Sequence, residues 1–247
     1  KLLAQKACKI CVAYDGMEKF FPADKIIMTG NPVRQNLLAN KQSREEAVSS
    51  FGFNPEKKTI LILGGSLGAR TINQTLIAVL DTIKVNGDIQ FIWQTGKIYI
   101  QQVKDAITTA TGEAIRNPRI SAIPNLYVTD FIKDMASAYA AADLVISRAG
   151  AGSISEFCLL NKPVILVPSP NVAEDHQTKN ALALVDKKAA IYVKDVDAMK
   201  HLIPVALETV TDAEKLKTLS ENIAKLALPD SATIIAKEVL KLINNDK

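Results

Sequence analysis

Two histidines and three cysteines in 247 residues leave little material for a metal site. Zinc normally takes four ligands, and neither a second C-x-x-C nor a pair of histidines accompanies Cys8-Lys-Ile-Cys11. That pair overlaps the apolar run Ile10–Ala13, which reads as a strand, so both cysteines are expected in a core within a reducing, cytoplasmic compartment. Cys158 falls in a helical stretch and reads as core as well. No uncharged apolar run approaches the roughly 20 residues that a membrane helix needs, so only peripheral membrane contact is left open. The net charge is only +4, with both signs interspersed, whereas a phosphate-tracking surface gathers Lys and Arg on one face. No nucleic-acid partner is therefore expected. The Gly-Lys-Ser/Thr ending of a Walker A loop is missing, and so is G-x-G-x-x-G, which argues against an NAD-dependent dehydrogenase. Methionine is missing from the first position, where Lys1 stands. A mature chain can begin that way after signal cleavage, but the chain is expected instead to be a piece of a longer one.

What is present is alternation. Short Val- and Ile-rich runs predict strands over Lys9–Tyr14, Lys25–Met28, Thr59–Leu63, Ile89–Gln94, Leu126–Thr129, Leu144–Ser147, Val164–Val167 and Ala190–Val193. Between them, helical spacing predicts Pro32–Asn40, Arg44–Phe51, Ala69–Val85, Ile98–Thr109, Met135–Ala142 and Ser153–Leu160. It continues with Gln177–Lys187, Ala198–Thr209, Asp212–Leu226 and Ser231–Ile243. Asn31 before Pro32 reads as an N-cap followed by proline at the first helical position. Ser43-Arg-Glu-Glu46 reads as a capping box. Runs such as Thr-Ile-Leu-Ile-Leu lack polar alternation because strands of a parallel sheet are buried on both faces. The expected class is α/β, a Rossmann-like, doubly wound parallel sheet. Ligands of such sheets sit outside the carboxyl ends of the strands, so the chemistry is sought in the strand-to-helix loops.

Four loops qualify. Gly64-Gly-Ser-Leu-Gly-Ala-Arg70 follows a strand and opens a helix. Gly64, Gly65 and Gly68 let the backbone approach a phosphate, Ser66 adds a hydroxyl, and the helix start aims free N–H groups at it. Ser147-Arg-Ala-Gly-Ala-Gly-Ser-Ile-Ser-Glu156 repeats the arrangement. There Glu156 can accept two hydrogen bonds from a ribose diol, unless it is merely the capping-box partner of Ser153. The third, Pro168–Gln177, offers His176, Gln177 and Asn180 to sugar hydroxyls, unless Asp175 is merely a helix cap and His176 merely solvated, which for an isolated His-Gln pair is the better reading. The fourth, Asp130–Asp134, offers backbone groups to the edge of a base. Asp195-Val-Asp197 resembles a metal-binding D-x-D, but Asp197 is better placed as an ordinary N-cap. His201 reads as a surface histidine. Two glycine loops with an acid on the second point to a nucleotide ligand.

With these loops in view, the chain resembles the MurG family of bacterial UDP-N-acetylglucosamine:undecaprenyl-diphosphate-muramoylpentapeptide N-acetylglucosaminyltransferases. The matching pieces run in order from Gly30-Asn-Pro-Val-Arg34 through Gly64–Arg70 and Asn73-Gln74. They continue with Thr129–Met135, Ala138-Tyr139-Ala-Ala-Ala-Asp143, Ser147–Ala151, Ser155-Glu156, Glu174–Gln177 and Asn180-Ala181. Leu67 stands where many relatives carry Gln. The resemblance implies the C-terminal half of a GT-B glycosyltransferase, an inverting hexosyltransferase of peptidoglycan synthesis that converts lipid I to lipid II. Its partners would be UDP-GlcNAc, the undecaprenyl-diphosphate-linked muramoyl-pentapeptide and the cytoplasmic face of the bacterial inner membrane, where it would be peripheral. No cofactor or obligatory metal is implied.

By the same resemblance, Arg34 and Ser66 contact the nucleotide and its diphosphate, and Ile132 reads uracil through its backbone. Ala151, Gly152, Ser153, Ile154 and Ser155 supply the helix start, Glu156 holds the ribose, and His176 and Gln177 face the GlcNAc. Residues 1–24 are expected to be a remnant of the acceptor domain and 25–230 the donor domain. Residues 231–247 are expected to form a helix crossing back toward an N-terminal acceptor domain that this piece would lack. The catalytic base is expected in that domain, so this piece should bind donor with little turnover. Another GT-B enzyme, such as a glycolipid synthase or a UDP-GlcNAc 2-epimerase, is the nearest alternative, and a stand-alone nucleotide-binding module is the next.

Overall fold

The computed structural model describes residues 3–14, 16–65, 67–113, 123–172 and 175–245. Two sheets are present among them. β1 (Ile10–Val12) and β2 (Ile26–Met28) pair in parallel as a small two-stranded unit, and residues Thr29 and Gly30 extend the ladder by donating to the Val12 carbonyl. The expected division after residue 24 therefore falls between two paired strands.

The main sheet has six strands: β3 (Lys58–Leu63), β4 (Ile89–Gln94), β5 (Leu126–Thr129), β6 (Leu144–Ser147), β7 (Val164–Leu166) and β8 (Ile191–Tyr192). All its pairings are parallel, in the order β5-β4-β3-β6-β7-β8. The period-2 geometry of a strand divides each apolar run between two cores. Ile60 and Ile62 of β3 go to one side, with Trp93, Ile146 and helices α3 (Arg70–Ala78), α5 (Ile100–Thr111) and α9 (Ala198–Thr211). Leu61 and Leu63 go to the other, with α2 (Arg44–Ser50), α6 (Met135–Ala141), α7 (Ala151–Leu159) and α8 (His176–Val185). Burial on both faces is why these strands are readable as continuous apolar runs. The doubly wound α/β class is thus the observed one.

Helix boundaries differ from expectation where a tertiary contact competes for a cap. α1 (Gln35–Ala39) starts three residues later than Pro32, with an extended Arg34 at its N-cap. Asn31 does not cap it, because its amide donates instead to Ser155 Oγ at 3.1 Å and the Ala151 carbonyl at 3.4 Å. The single helix expected over Ala69–Val85 is broken at Val79 (φ −119°, ψ 24°), whose N–H turns back only three residues to Leu76. A short α4 (Leu80–Val85) follows. The capping box of Ser43 and Glu46 is present. Cys158 is buried, but Cys8 and Cys11 are exposed, which corrects their reading as core residues: Val12, not its cysteine neighbour, faces inward from the short β1.

Candidate functional site

The strand order reverses direction between β3 and β6. Chain progress from β3 runs outward through β4 and β5, and from β6 outward through β7 and β8. Such a switch point opens a crevice at the carboxyl ends, because the two following connections leave toward opposite faces. The two glycine loops leave these two strands, whose last residues Leu63 and Ser147 are paired partners. Topology therefore brings together the two segments singled out in the sequence.

The first loop is built from backbone. Gly68 and Gly96 both have positive φ, 91° and 80°. A Cβ at Gly96 would lie 2.2 Å from the Gly68 nitrogen, and one at Gly68 would lie 2.5 Å from the Thr95 carbonyl. Only hydrogen fits at either place, so the turns after β3 and β4 press directly on one another. Gly64 donates to the Gln94 carbonyl at 3.1 Å, and Gly65 is exposed at the tip. Ser66 lies outside the described residues. α3 then starts after Ala69, its N-cap, without a side-chain cap, so its leading N–H groups are offered to the crevice. Asn73, in the first turn of α3, fixes this helix to β4. Its amide donates to the Thr95 carbonyl at 2.8 Å, and its oxygen accepts the Trp93 indole N–H at 2.9 Å.

The second loop is wired by side chains. α7 begins at Ala151, two residues earlier than expected, with extended Gly150 at its N-cap and no side-chain cap. Ala151, Gly152 and Ser153 thus form its first turn. Ser153 is inside the helix, so the capping-box reading of Glu156 does not hold. Glu156 instead accepts from Arg34 Nη2 at 3.1 Å and Nε at 3.3 Å on Oε1, and from the Tyr139 hydroxyl at 2.7 Å on Oε2. Arg34 is half exposed whereas the Glu156 side chain is only 16% exposed. The ion pair alone contributes little, roughly 0–1 kcal/mol. Ser155 donates back to the Ala151 carbonyl and accepts from Asn31, so its hydroxyl is committed, and Ile154 is buried.

Arg148, which opens the second loop, donates to the carbonyls of Val167 and Pro168 at 3.0 and 3.1 Å and forms an ion pair with Asp195. The other oxygen of Asp195 accepts from Thr71 at 2.8 Å. The D-x-D lookalike is therefore a brace joining α3, the second loop and the start of α9. Asp197 occupies the N-cap position of α9 but makes no side-chain cap bond. Likewise Asp175 stands at the N-cap of α8 in a left-handed conformation without capping it. Glu174 lies outside the described residues. Gln177 accepts from the Ser169 N–H at 2.9 Å, Asn180 donates to the Ala149 carbonyl at 3.1 Å, and His176 is exposed at the helix start. Gln177 and Asn180 thus shape the third loop and tie it to the second.

Two residues were missed from sequence. Gln94, at the end of β4, donates to the Gly65 carbonyl at 3.2 Å and accepts from the Ile132 N–H at 3.0 Å. It couples the first loop to the fourth and occupies the Ile132 N–H. Its signal was available: a polar residue closing an apolar strand at the ligand end of the sheet. Tyr139 carries no such signal. Burial first, and the Glu156 carboxylate next, push its phenol far above the usual range, so it stays a donor. The fourth loop is closed by Asp134, which caps α6 through Ser137. The hydrogen bonds from Ser137 hold the Asp134 carboxyl below its ordinary range.

The UDP-N-acetylglucosamine--N-acetylmuramyl-(pentapeptide) pyrophosphoryl-undecaprenol N-acetylglucosamine transferase of Bacteroides fragilis is 78% identical over 242 residues, 98% of this chain and 61% of that protein. The chain thus spans about three fifths of the length of the curated relatives it matches. The crystal structure of Acinetobacter baumannii MurG superposes with a TM-score of 0.70 at 27% identity, covering 97% of this chain and 63% of that one. The UDP-GlcNAc 2-epimerase of Neisseria meningitidis bound to UDP-GlcNAc, 17% identical with a TM-score of 0.64 over 91% of this chain and 58% of that one, shares the fold. Residues 59–235 match the family model described as the glycosyltransferase family 28 C-terminal domain, and the chain belongs to that family.

Proposed function

We propose that this chain holds UDP-GlcNAc for the transfer of N-acetylglucosamine to a lipid-linked muramoyl-pentapeptide, converting lipid I to lipid II in peptidoglycan synthesis. The observation that carries the reading is Glu156. It is a largely buried carboxylate in α7, and the uncapped starts of α7 and α3 follow the two strands at the switch point of the sheet. A nucleoside diphosphate fits that arrangement, with hydroxyls on the acid and phosphates on the N–H groups. The sugar and acceptor rest on similarity to transferases named for that sugar and that acceptor.

In this reading Arg34 and the starts of α3 and α7 stabilise the charge that develops on departing UDP. Direct displacement at the anomeric carbon inverts its configuration. No metal is assigned to this role. Asp195, the carboxylate that a D-x-D site would need, is engaged by Arg148 and Thr71. We place the reaction at the cytoplasmic membrane surface because its acceptor is a lipid; among the described residues no helix is long and apolar enough to cross a membrane.

Calorimetric titration with UDP-GlcNAc, UDP-glucose, ADP and NAD tests the reading. UDP-GlcNAc is expected to bind tightest. Binding of ADP or NAD with equal affinity would overturn it.

A further inference from the structure

Glu156 is held from two directions by donors of different kinds. Arg34 comes from the segment that joins the two-stranded unit to the main domain, and about half of its side chain is exposed. Tyr139 comes from α6 inside the main domain, is 2% exposed, and has its ring edge-on to Phe157 at 6.0 Å between centroids. The two donors take different carboxylate oxygens. An incoming diphosphate brings negative charge that competes for the guanidinium of Arg34. It offers nothing to the buried phenol, whose only role at Oε2 is to donate.

We propose that Tyr139 is a positioning residue for nucleotide recognition: its hydroxyl keeps the Glu156 carboxylate aimed at the ribose diol while Arg34 is free to turn to the diphosphate. The inference rests on the donor-site reading given above and deepens it. A carboxylate held on one oxygen by a rigid neutral donor retains lone pairs at fixed positions for two sugar hydroxyls. Without that donor the Glu156 side chain can rotate toward Arg34 alone, and the ribose loses its paired acceptor. Discrimination between ribose and 2′-deoxyribose is then set by a residue that touches neither sugar.

The test measures affinities of the 247-residue chain for UDP and for 2′-deoxyuridine diphosphate by calorimetry, with Tyr139→Phe, Glu156→Ala and the double variant. UDP affinity is expected to fall roughly tenfold in Tyr139→Phe, the size of a lost charge-assisted hydrogen bond. The deoxy compound, which keeps only one of the two hydroxyls, should lose less, so the ratio of the two affinities falls. In the Glu156→Ala background, adding Tyr139→Phe should cost no further UDP affinity, since the two residues act as one unit. A Tyr139→Phe variant that weakens both ligands alike, or keeps the parent ratio, overturns the assignment. If phenylalanine at 139 prevents folding, Arg34→Ala decides: the ribose ratio should survive there with Tyr139 alone on the carboxylate, and its collapse overturns the assignment. A parent chain that binds no UDP at all removes the donor-site reading and the assignment with it, whereas a binding parent with an unaltered Tyr139→Phe ratio removes the assignment only.

Discussion

The loops after β3 and β6 leave neighbouring strands and open helices of the same length, nine residues each, yet they are made from opposite materials. The first is shaped by missing side chains, with Gly68 and Gly96 in contact where no Cβ fits. The second is shaped by charged side chains, with Arg148 on Asp195 and Arg34 on Glu156. The difference teaches where each loop is vulnerable. A backbone-built loop fails when anything is added, and a side-chain-built loop fails when anything is removed.

The strongest way to break this comparison is Gly96→Ala. The new Cβ meets Gly68 backbone and sits at positive φ, so it is expected to destabilise the chain by about 3 kcal/mol or more and to abolish UDP binding. Denaturant unfolding checks the first outcome and calorimetry the second. If that variant melts like the parent, the backbone-built description is wrong.

Glu156→Ala should do the reverse. It should cost UDP about 2–3 kcal/mol of binding, the worth of hydrogen bonds to a charged group, with a smaller loss of stability, about 1–2 kcal/mol, from the stranded Tyr139 hydroxyl. A Glu156→Ala chain that binds UDP like the parent would remove the ribose assignment.

Asp195→Ala should destabilise by about 1–2 kcal/mol, less than a fully buried pair because Arg148 keeps two carbonyl partners. Adding magnesium or EDTA to the parent should leave UDP affinity unchanged. A magnesium-dependent affinity would give the D-x-D back its metal role.

Gln94→Ala should loosen the junction of the first and fourth loops, costing about 1 kcal/mol in stability. Its signature is a weaker preference for uridine over adenosine diphosphate.

The smallest perturbation is thiol labelling. Burial pushes the Cys158 thiol in α7 up to about 11, so near pH 8 it is almost wholly protonated and covered. Cys8 and Cys11 should react in the native chain and Cys158 only on unfolding. Native labelling of Cys158 would show that α7 opens.

The sequence made the main sheet legible to within a residue or two, because strands buried on both faces must be apolar throughout. It singled out Glu156 for the same reason that it singled out the glycines: residue type at a strand-to-helix junction. It could not show what fastens Glu156. Tyr139 lies 17 residues away and Arg34 122, and nothing in local spacing links them. Gln94 reaches 29 residues back and 38 forward. The start of α1 was misread for a related cause. Asn31 has the right chemistry for a cap and uses it on Ser155, 124 residues on. Local rules name what a side chain can do, and packing chooses among those uses.

The bare starts of α3 and α7 carry one more consequence. α2, α6 and α10 (Ala213–Ala224) begin under Ser43, Asp134 and Asp212, whose side chains occupy the leading N–H groups at all times. α3 and α7 have no such permanent tenant. An anion bound at these starts adds its binding energy to the native state alone. The melting temperature should therefore report nucleotide concentration, rising by the equivalent of about 2.7 kcal/mol at a hundredfold excess over the dissociation constant. Under the proposed function, heat resistance in this molecule is expected to be in part a reading of how much nucleotide surrounds it.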